Sequence, residues 1–215
     1  MQPITAIVLI GLAYVIGSIP FSVIVSRLTG APDPRTIGSG RTGGTNALRA
    51  MGPKWALVVV AGDLAKGAVP VLIARAVSDG EPALEAACAV AAVIGSARSI
   101  FLRFHGGRGV ATGVGTMLVI QPIAVLLAAP VFIGVILITR YVSLGSLLGS
   151  AAMIPAVVLV FLVVNGTVPP AYLIYAVAGA AVVWIAHADN IDRLLHGTER
   201  KFDLGMLAGR GRGGT

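Results

Sequence analysis

The sequence has 215 residues, of which 56% are hydrophobic and only 12% are charged, and its mean hydropathy is +0.92. Since about a quarter of the residues in an ordinary soluble domain are charged, these values exclude that class and predict an integral membrane protein. The single cysteine, Cys88, excludes an internal disulfide framework and a multi-cysteine metal site, and we expect neither a metal nor a cofactor.

Seven apolar segments are predicted to cross the membrane as helices, since one crossing takes about 20 residues. They cover residues 4–26, 55–74, 83–100, 109–120, 124–139, 144–164 and 171–186, and the fourth of them is short. We therefore expect an all-α membrane protein. Residues 1–201 would form one membrane domain, and residues 202–215 a flexible basic tail.

The 16 lysines and arginines lie almost entirely in alternate loops. Five fall within residues 27–54, three within 98–108, one is Arg140 and five follow residue 186, which leaves only Lys66 and Arg75 elsewhere. This positive-inside pattern places those loops and the C-terminus in the cytoplasm and the N-terminus outside. Because the positive charge has this explanation, it argues against a nucleic-acid partner.

Residues 38–52, GSGRTGGTNALRAMG, combine glycines, hydroxyl groups and two arginines directly after the first span. Backbone donors and fixed positive charge favour a phosphate or another oxyanion. Two familiar motifs nearly fit but are rejected. G-x-G-x-x-G needs a preceding strand, and a P-loop needs a lysine at the position of Gly44.

A second loop, residues 106–115, repeats this chemistry as GGRGVATGVG. Arg108 precedes the next predicted helix, so its guanidinium and the first N–H groups of that helix could meet one anion. Within the second span, Asp63 and Lys66 are spaced i, i+3 and can pair. Both a structural ion pair and a site wall remain open for these two residues.

A third polar segment begins at His187, and on a helix His187, Asn190 and Arg193 share one face. The plain alternative is an amphipathic helix whose polar side is in water. His187 and Asp192 also match an H-x4-D pattern by count, but residues five apart on a helix lie about 140° apart. A direct dyad is therefore disfavoured.

These motifs together resemble the bacterial acyl-phosphate:glycerol-3-phosphate acyltransferases. GSGRTGGTNALRAMG resembles the first motif of that family, GGRGVATG the second and NIDRLLHGTERK the third. GSIPF, GDLAKG and TRYVSLGS resemble its supporting segments, so the resemblance follows nearly the whole chain in order.

The resemblance implies a seven-helix enzyme of the bacterial inner membrane. It would move a fatty acyl group from acyl phosphate to the sn-1 hydroxyl of glycerol 3-phosphate, giving lysophosphatidic acid and phosphate. Its partners would be these substrates, membrane lipids and a fatty-acid-synthesis enzyme that supplies acyl phosphate.

The family's site residues are carried over by motif position, and direct attack by the glycerol hydroxyl is the implied mechanism. Ser39, His187 and Asn190 are expected to be catalytic, and Glu199 to order its loop. Substrate binding is assigned to Ser39, Thr45, Asn46, Arg49, Arg108, Ser143 and Lys66.

The chain departs from the family pattern at four positions. Arg41 stands in place of Asn, Gly44 of Ala, Ser96 of His and Arg108 of Lys. Because arginine and lysine bind phosphate differently, a diverged relative with a shifted substrate is one alternative. A small-anion transporter is another, since it would also use intramembrane charges. A CDP-alcohol phosphotransferase is disfavoured, because its D-G-x-x-A-R pattern is absent.

Overall fold

The computed structural model describes residues 2–167, 169–203 and 205–206. The described residues form helices and no strand, and the helices are joined by short turns except at two longer loops, residues 30–43 and 98–109. In chain order they are α1 (Pro3–Gly17), α2 (Phe21–Thr29), α3 (Gly44–Ser78), α4 (Pro82–Ala97), α5 (Val110–Ile120), α6 (Pro122–Thr139), α7 (Val142–Asn165), α8 (Pro170–Ala186) and α9 (Ala188–Leu195).

Four stretches of the described chain are long and apolar enough to cross a membrane, namely α3, α6, α7 and residues 82–102. Two bent pairs, α1 with α2 and α8 with α9, raise that number to six. The remaining predicted span is α5, whose 11 residues extend about 16 Å, against about 30 Å of hydrocarbon. An all-helical membrane protein is therefore confirmed, while seven crossings and an external N-terminus stay predictions.

The first predicted span is broken in the middle, as its Gly, Ser and Pro residues suggest. Helix α1 ends at Gly17 and α2 begins at Phe21, with a bend of 43° between them. A side chain at Gly17 would overlap the backbone of Ala92 in α4, so the glycine permits close packing at the bend. The free carbonyls of the break are satisfied by Ser99, which donates to Ser18 over 2.6 Å, and by Lys66, which donates to Ile19.

The expectation of a loop over residues 38–52 is wrong for its second half, because α3 already begins at Gly44. Gly52 interrupts that helix with φ 75° and ψ 178°, a conformation that favours glycine. Pro53 follows it, and proline suits the first position of a helix because its missing N–H is not needed there. A short helix over residues 44–51 therefore leads into the spanning part of α3.

Helices α3 and α5 pack at backbone contact through two glycines. A Cβ atom at Gly67 would overlap the carbonyl oxygen of Thr112, and one at Gly115 would overlap that of Leu64. Small residues allow this close approach between membrane helices. The contact fixes the short helix α5, and the loop before it, against the long helix α3.

At the end of the bundle near Ser78, a buried carboxylate joins three helices. Glu85 of α4, 1% exposed, accepts hydrogen bonds from Arg75 of α3 at 2.7 and 2.9 Å and from the Tyr172 hydroxyl of α8 at 3.1 Å.

Near the C-terminus, Phe202 and Met206 pack on a cluster that includes Val59. Of the predicted flexible tail over residues 202–215, residues 204 and 207–215 lie outside the described residues.

Substituting Gly115 by alanine is expected to lower the unfolding temperature. The added methyl group cannot fit against Leu64 unless α3 and α5 separate, and overpacking of this kind costs about 1–3 kcal/mol. Gly134→Ala in α6 is the matched control, because the space around Gly134 is open. Thermal unfolding in detergent should show a loss for G115A only. Equal unfolding temperatures for the two variants would contradict this packing.

Candidate active site

The three polar segments predicted from the sequence meet around one cavity of about 450 Å³. Most of the lining comes from the loop before α3 and α3 itself, the loop before α5 and α5 itself, the first turns of α7, the junction of α8 with α9 and the segment after α9. Eight of the nine predicted site residues line this cavity: Ser39, Thr45, Asn46, Arg49, Arg108, Ser143, His187 and Asn190. The structure thus brings together residues that are up to 151 positions apart.

Lys66 is the predicted site residue that does not line the cavity. Its ammonium group lies 2.7 Å from Asp63 and donates to the Ile19 carbonyl over 3.1 Å. Asp63, 5% exposed, lines the cavity in its place. The lysine therefore joins α3 to the bend between α1 and α2.

Asn46 holds the first loop in shape. Its side chain is 2% exposed, and its Nδ2 lies 2.9 Å from both the Ile37 and the Arg41 carbonyl oxygens. The loop turns around this amide with positive φ at Gly38 and Gly40, and the Ser39 N–H points to Asn46 Oδ1 at 3.4 Å. The side-chain donors of Asn46 are thus used by the protein itself.

The second loop folds back onto the end of α4. The N–H of Gly107 donates to the Ser96 carbonyl over 2.9 Å, and a side chain at Gly106 would overlap the same oxygen. This positions Arg108, whose side chain is 17% exposed, at the cavity wall. Burial lowers the pKa of Arg108 and Asp189 opposes that shift, yet the guanidinium remains charged at neutral pH.

The cavity walls carry more positive than negative charge. Four arginines line it, Arg41, Arg49, Arg108 and Arg200, together with the carboxylates Asp63 and Glu199. The arginines can be described as two pairs. Arg41 and Arg108 both lie beside Asp189, at 3.8 and 3.2 Å from its carboxylate oxygens. The pKa of Arg49 is lowered by burial and then by the nearby positive charge of Arg200, which pairs these two arginines. One cavity therefore presents two cationic clusters.

His187 follows the last residue of α8 and is 1% exposed. Its Nδ1 lies 2.7 Å from the Val183 carbonyl oxygen. A carbonyl only accepts hydrogen bonds, so Nδ1 carries the proton and Nε2 retains a free lone pair. Burial lowers the pKa of His187 to about 4. The imidazole is therefore neutral at physiological pH and acts as an acceptor through Nε2.

The structure contradicts a dyad between His187 and Asp192. The side chain of Asp192 is 73% exposed and lies 3.4 Å from His196, on the outer side of α9. The view of α9 as a helix whose polar face is simply in water is wrong as well, because Asn190 is only 4% exposed. Its polar face is turned into the site.

Glu199 connects α7 with α9. Its Oε1 accepts hydrogen bonds from Ser143 at 3.1 Å and Asn190 Nδ2 at 2.8 Å, and its Oε2 accepts one from Arg193 at 2.8 Å. Within the described residues, the buried Oδ1 of Asn190 has no hydrogen-bond partner. Asn190 therefore offers an acceptor that suits a ligand with a hydroxyl group.

Sequence reasoning did not assign three charged residues to the site: Arg41, Asp189 and Arg200. It left Asp63 open between an ion pair and a site wall, and in the structure Asp63 is both. Arg41 was counted among the two arginines of the first motif and noted as a departure from the family pattern, but it was not assigned to a substrate. Asp189 carries no local signal, because its significance depends on arginines from two other loops. In the described part of the chain, no group of three His, Cys, Asp or Glu side chains could hold a metal ion.

An apolar cavity of about 250 Å³ adjoins the charged one. It lies among α5, α6, α7 and α8, with Met117, Met153 and Tyr175 in its lining. The two cavities share wall residues: Val110, Val114, Phe132 and Ser146. A ligand with a polar head and a long apolar chain could therefore occupy both.

Comparison with known proteins agrees with this arrangement. The family model described as glycerol-3-phosphate acyltransferase matches residues 7–197. The glycerol-3-phosphate acyltransferase of Desulforudis audaxviator is 40% identical over 204 residues, which cover 95% of this chain and 99% of the relative. That of Syntrophotalea carbinolica is 44% identical over 190 residues, covering 88% and 94%.

Two crystal structures of PlsY (YgiH), an integral membrane glycerol 3-phosphate acyltransferase, have the same fold. The glycerol 3-phosphate form has a TM-score of 0.83 and 34% identity, covering 95% of this chain and 98% of its own. The lysophosphatidic acid form has a TM-score of 0.80 and 32% identity, covering 95% and 99%. The chain therefore belongs to the glycerol-3-phosphate acyltransferase family, as a helical membrane protein of the PlsY type.

Proposed function

We propose that this protein transfers a fatty acyl group from acyl phosphate to the sn-1 hydroxyl of glycerol 3-phosphate in the bacterial inner membrane. The products are lysophosphatidic acid and phosphate, and a fatty-acid-synthesis enzyme supplies the donor. The observation that carries the proposal is one cavity with two cationic clusters that adjoins an apolar cavity. The crystallised relatives, in glycerol 3-phosphate and lysophosphatidic acid forms, support it.

Each cationic cluster would hold one substrate phosphate. Both substrates are phosphate anions, and bringing two of them together requires positive charge on both sides. Arg49 with Arg200 would take one phosphate, and Arg108 with Arg41 the other. Hydroxyl groups of Ser39 and Thr45 on the cavity wall would add neutral donors.

The apolar cavity would take the acyl chain of the donor. Because it adjoins the charged cavity, a chain seated there leaves its acyl phosphate head at the boundary between the two. Ser143, which lines the charged cavity beside that boundary and is fixed by Glu199, would position the head. Surrounding membrane lipid is the source from which the donor enters.

Acyl phosphate is already activated, so positioning and charge stabilisation suffice for the reaction. The glycerol oxygen attacks the acyl carbon, the bond from that carbon to the phosphate oxygen breaks, and phosphate leaves with the electron pair. Asn190 Oδ1 and His187 Nε2 would accept hydrogen bonds from substrate hydroxyl groups and orient them. Burial lowers the pKa of His187 to about 4, so His187 is a poor base, and the phosphate that leaves with the electron pair of the broken bond is a stronger one. The phosphate therefore receives the proton.

The transporter alternative has little structural support. A transporter would need its ionisable residues free for a substrate at membrane depth. Lys66 and Asp63 are instead paired, and Lys66 is fixed to the bend of the first span.

The direct test uses purified protein in detergent with palmitoyl phosphate and glycerol 3-phosphate, and follows lysophosphatidic acid by mass spectrometry. We expect product only when both substrates are present, and none when acyl-CoA replaces the acyl phosphate. Product that forms with acyl-CoA but not with acyl phosphate, in the presence of glycerol 3-phosphate, would show that the proposed donor is wrong. No product from either donor, with a folded sample, would overturn the proposed function.

Arg49→Ala should raise the KM for a phosphate substrate. A hydrogen bond to a charged group is worth about 1.5–3 kcal/mol, which corresponds to roughly 10-fold to 150-fold. Arg27→Ala is the control, because Arg27 is exposed at the end of α2 and does not line the cavity. Initial-rate kinetics on both variants test this prediction. An unchanged KM for R49A would remove this residue from the site.

Stability should depend on pH through His187. Its folded pKa of about 4 lies below the ordinary value of 6.5. The unfolded chain therefore binds a proton first, and stability falls as the pH drops from about 7 towards 4. Between pH 7.5 and 5, the unfolding temperature of His187→Asn should fall less than that of the wild type. His105→Asn, a variant at an exposed loop position, is the control and should behave like the wild type. Identical pH slopes would contradict a buried neutral imidazole.

Ala180→Leu should shift the acyl-chain preference towards shorter donors. Ala180 lines the apolar cavity, so three added carbons occupy space that the chain end would need. The KM for palmitoyl phosphate should rise several-fold against that for decanoyl phosphate. Ala181→Leu makes the same change on the exposed side of α8. An unaltered preference in A180L would place the chain elsewhere.

A further inference from the structure

Asp189, in the first turn of α9, lies among three arginine side chains from three parts of the chain. Its Oδ2 is 3.1 Å from Arg193 and 3.2 Å from Arg108, and its Oδ1 is 3.8 Å from Arg41. The carboxylate side chain is 34% exposed. It therefore interacts with the cluster of Arg108 and Arg41 from outside the cavity wall.

Two of these three arginines are shared between Asp189 and the cavity. Arg41 and Arg108 line the cavity, whereas Arg193 does not, and it is also bound by Glu199 over 2.8 Å. Asp189 is thus the nearest anion that any cavity ligand must compete with at Arg41 and Arg108.

The contacts within this group are incomplete. The separation of 3.8 Å between Arg41 and Asp189 is longer than a hydrogen bond. Among the described residues, the buried atoms Arg108 Nε and Asp189 Oδ1 have no hydrogen-bond partner. An unpaired buried donor is costly, so Arg108 retains capacity for another acceptor. A phosphate oxygen is an acceptor of that kind.

We propose that Asp189 is a positioning residue that competes with a bound phosphate for Arg41 and Arg108, and thereby weakens phosphate binding enough for the product to leave. The inference rests on the proposed function, in which phosphate is released at every turnover. Carboxylate and phosphate oxygens accept from the same guanidinium N–H groups, and the two anions repel each other. Arg41 is then a phosphate-binding residue in this chain.

The test is the affinity of the purified protein for inorganic phosphate, measured by calorimetry, with Asp189→Asn as the variant. Removing the competing negative charge should tighten phosphate binding by about tenfold. Phosphate should also inhibit lysophosphatidic acid formation at correspondingly lower concentration. A residue that merely held Arg108 in place would have the opposite effect, so equal or weaker phosphate binding by folded D189N overturns the inference.

Two further variants keep the result interpretable. Asp189→Glu retains the charge and should return the phosphate affinity close to that of the wild type. Asp192→Asn makes the same chemical change on the exposed side of α9 and should leave the affinity unchanged. If D192N also bound phosphate more tightly, the effect would come from the overall charge of the protein, which would contradict a specific role of Asp189.

The inference and the proposed function can fail separately. If the wild type forms no lysophosphatidic acid, the proposed function is wrong and with it the role in product release, while the calorimetric comparison still decides whether Asp189 competes with phosphate. If the wild type is active and D189N binds phosphate no more tightly, only the inference is overturned.

Discussion

The carboxylate of Glu199 is the contact on which the site depends most. It accepts hydrogen bonds from Ser143 on α7 and from Asn190 and Arg193 on α9. An ionised group that is 7% exposed must be paired to be tolerated. It holds α9 against the bundle, and with that helix it fixes the acceptor atom of Asn190. The same carboxylate offsets part of the positive charge that the arginines concentrate in one cavity.

Close packing between helices positions the loops that form the site at this end of the bundle. Glycine contacts between α3 and α5 bring the first and second loops to a common wall, and Asn46 gives the first loop its shape. The bend of the first span is fixed by Lys66 and Ser99, so the loop that follows begins from a defined position. Rigid packing thus holds residues of like charge close together despite their mutual repulsion.

The sequence predicts the chemistry of the site better than its geometry. Composition alone indicates a helical membrane protein, and the loops of Arg49 and Arg108 are recognisable because glycine and arginine together favour anions. The positions of single side chains depend on tertiary contacts. Lys66 was expected at the substrate, but spacing cannot show that it turns towards Ile19.

Two other features were also beyond local sequence reasoning. The helix from Gly44 to Met51 was missed because glycines, which are poor helix formers, flank it on both sides. Its Ala47, Leu48 and Met51 pack on the cluster that includes Val59. Asp189 belongs to the site only through its contacts with Arg41 and Arg108, which are distant from it in the chain.

The central claim is that one cavity holds two phosphates at the same time, and calorimetric titration tests it most directly. Glycerol 3-phosphate would be titrated into the protein saturated with a palmitoyl phosphonate, in which a carbon replaces the bridging oxygen so that no transfer occurs. The account predicts that glycerol 3-phosphate still binds, with an affinity within a few-fold of that without the analogue. Mutually exclusive binding of the two compounds would contradict it.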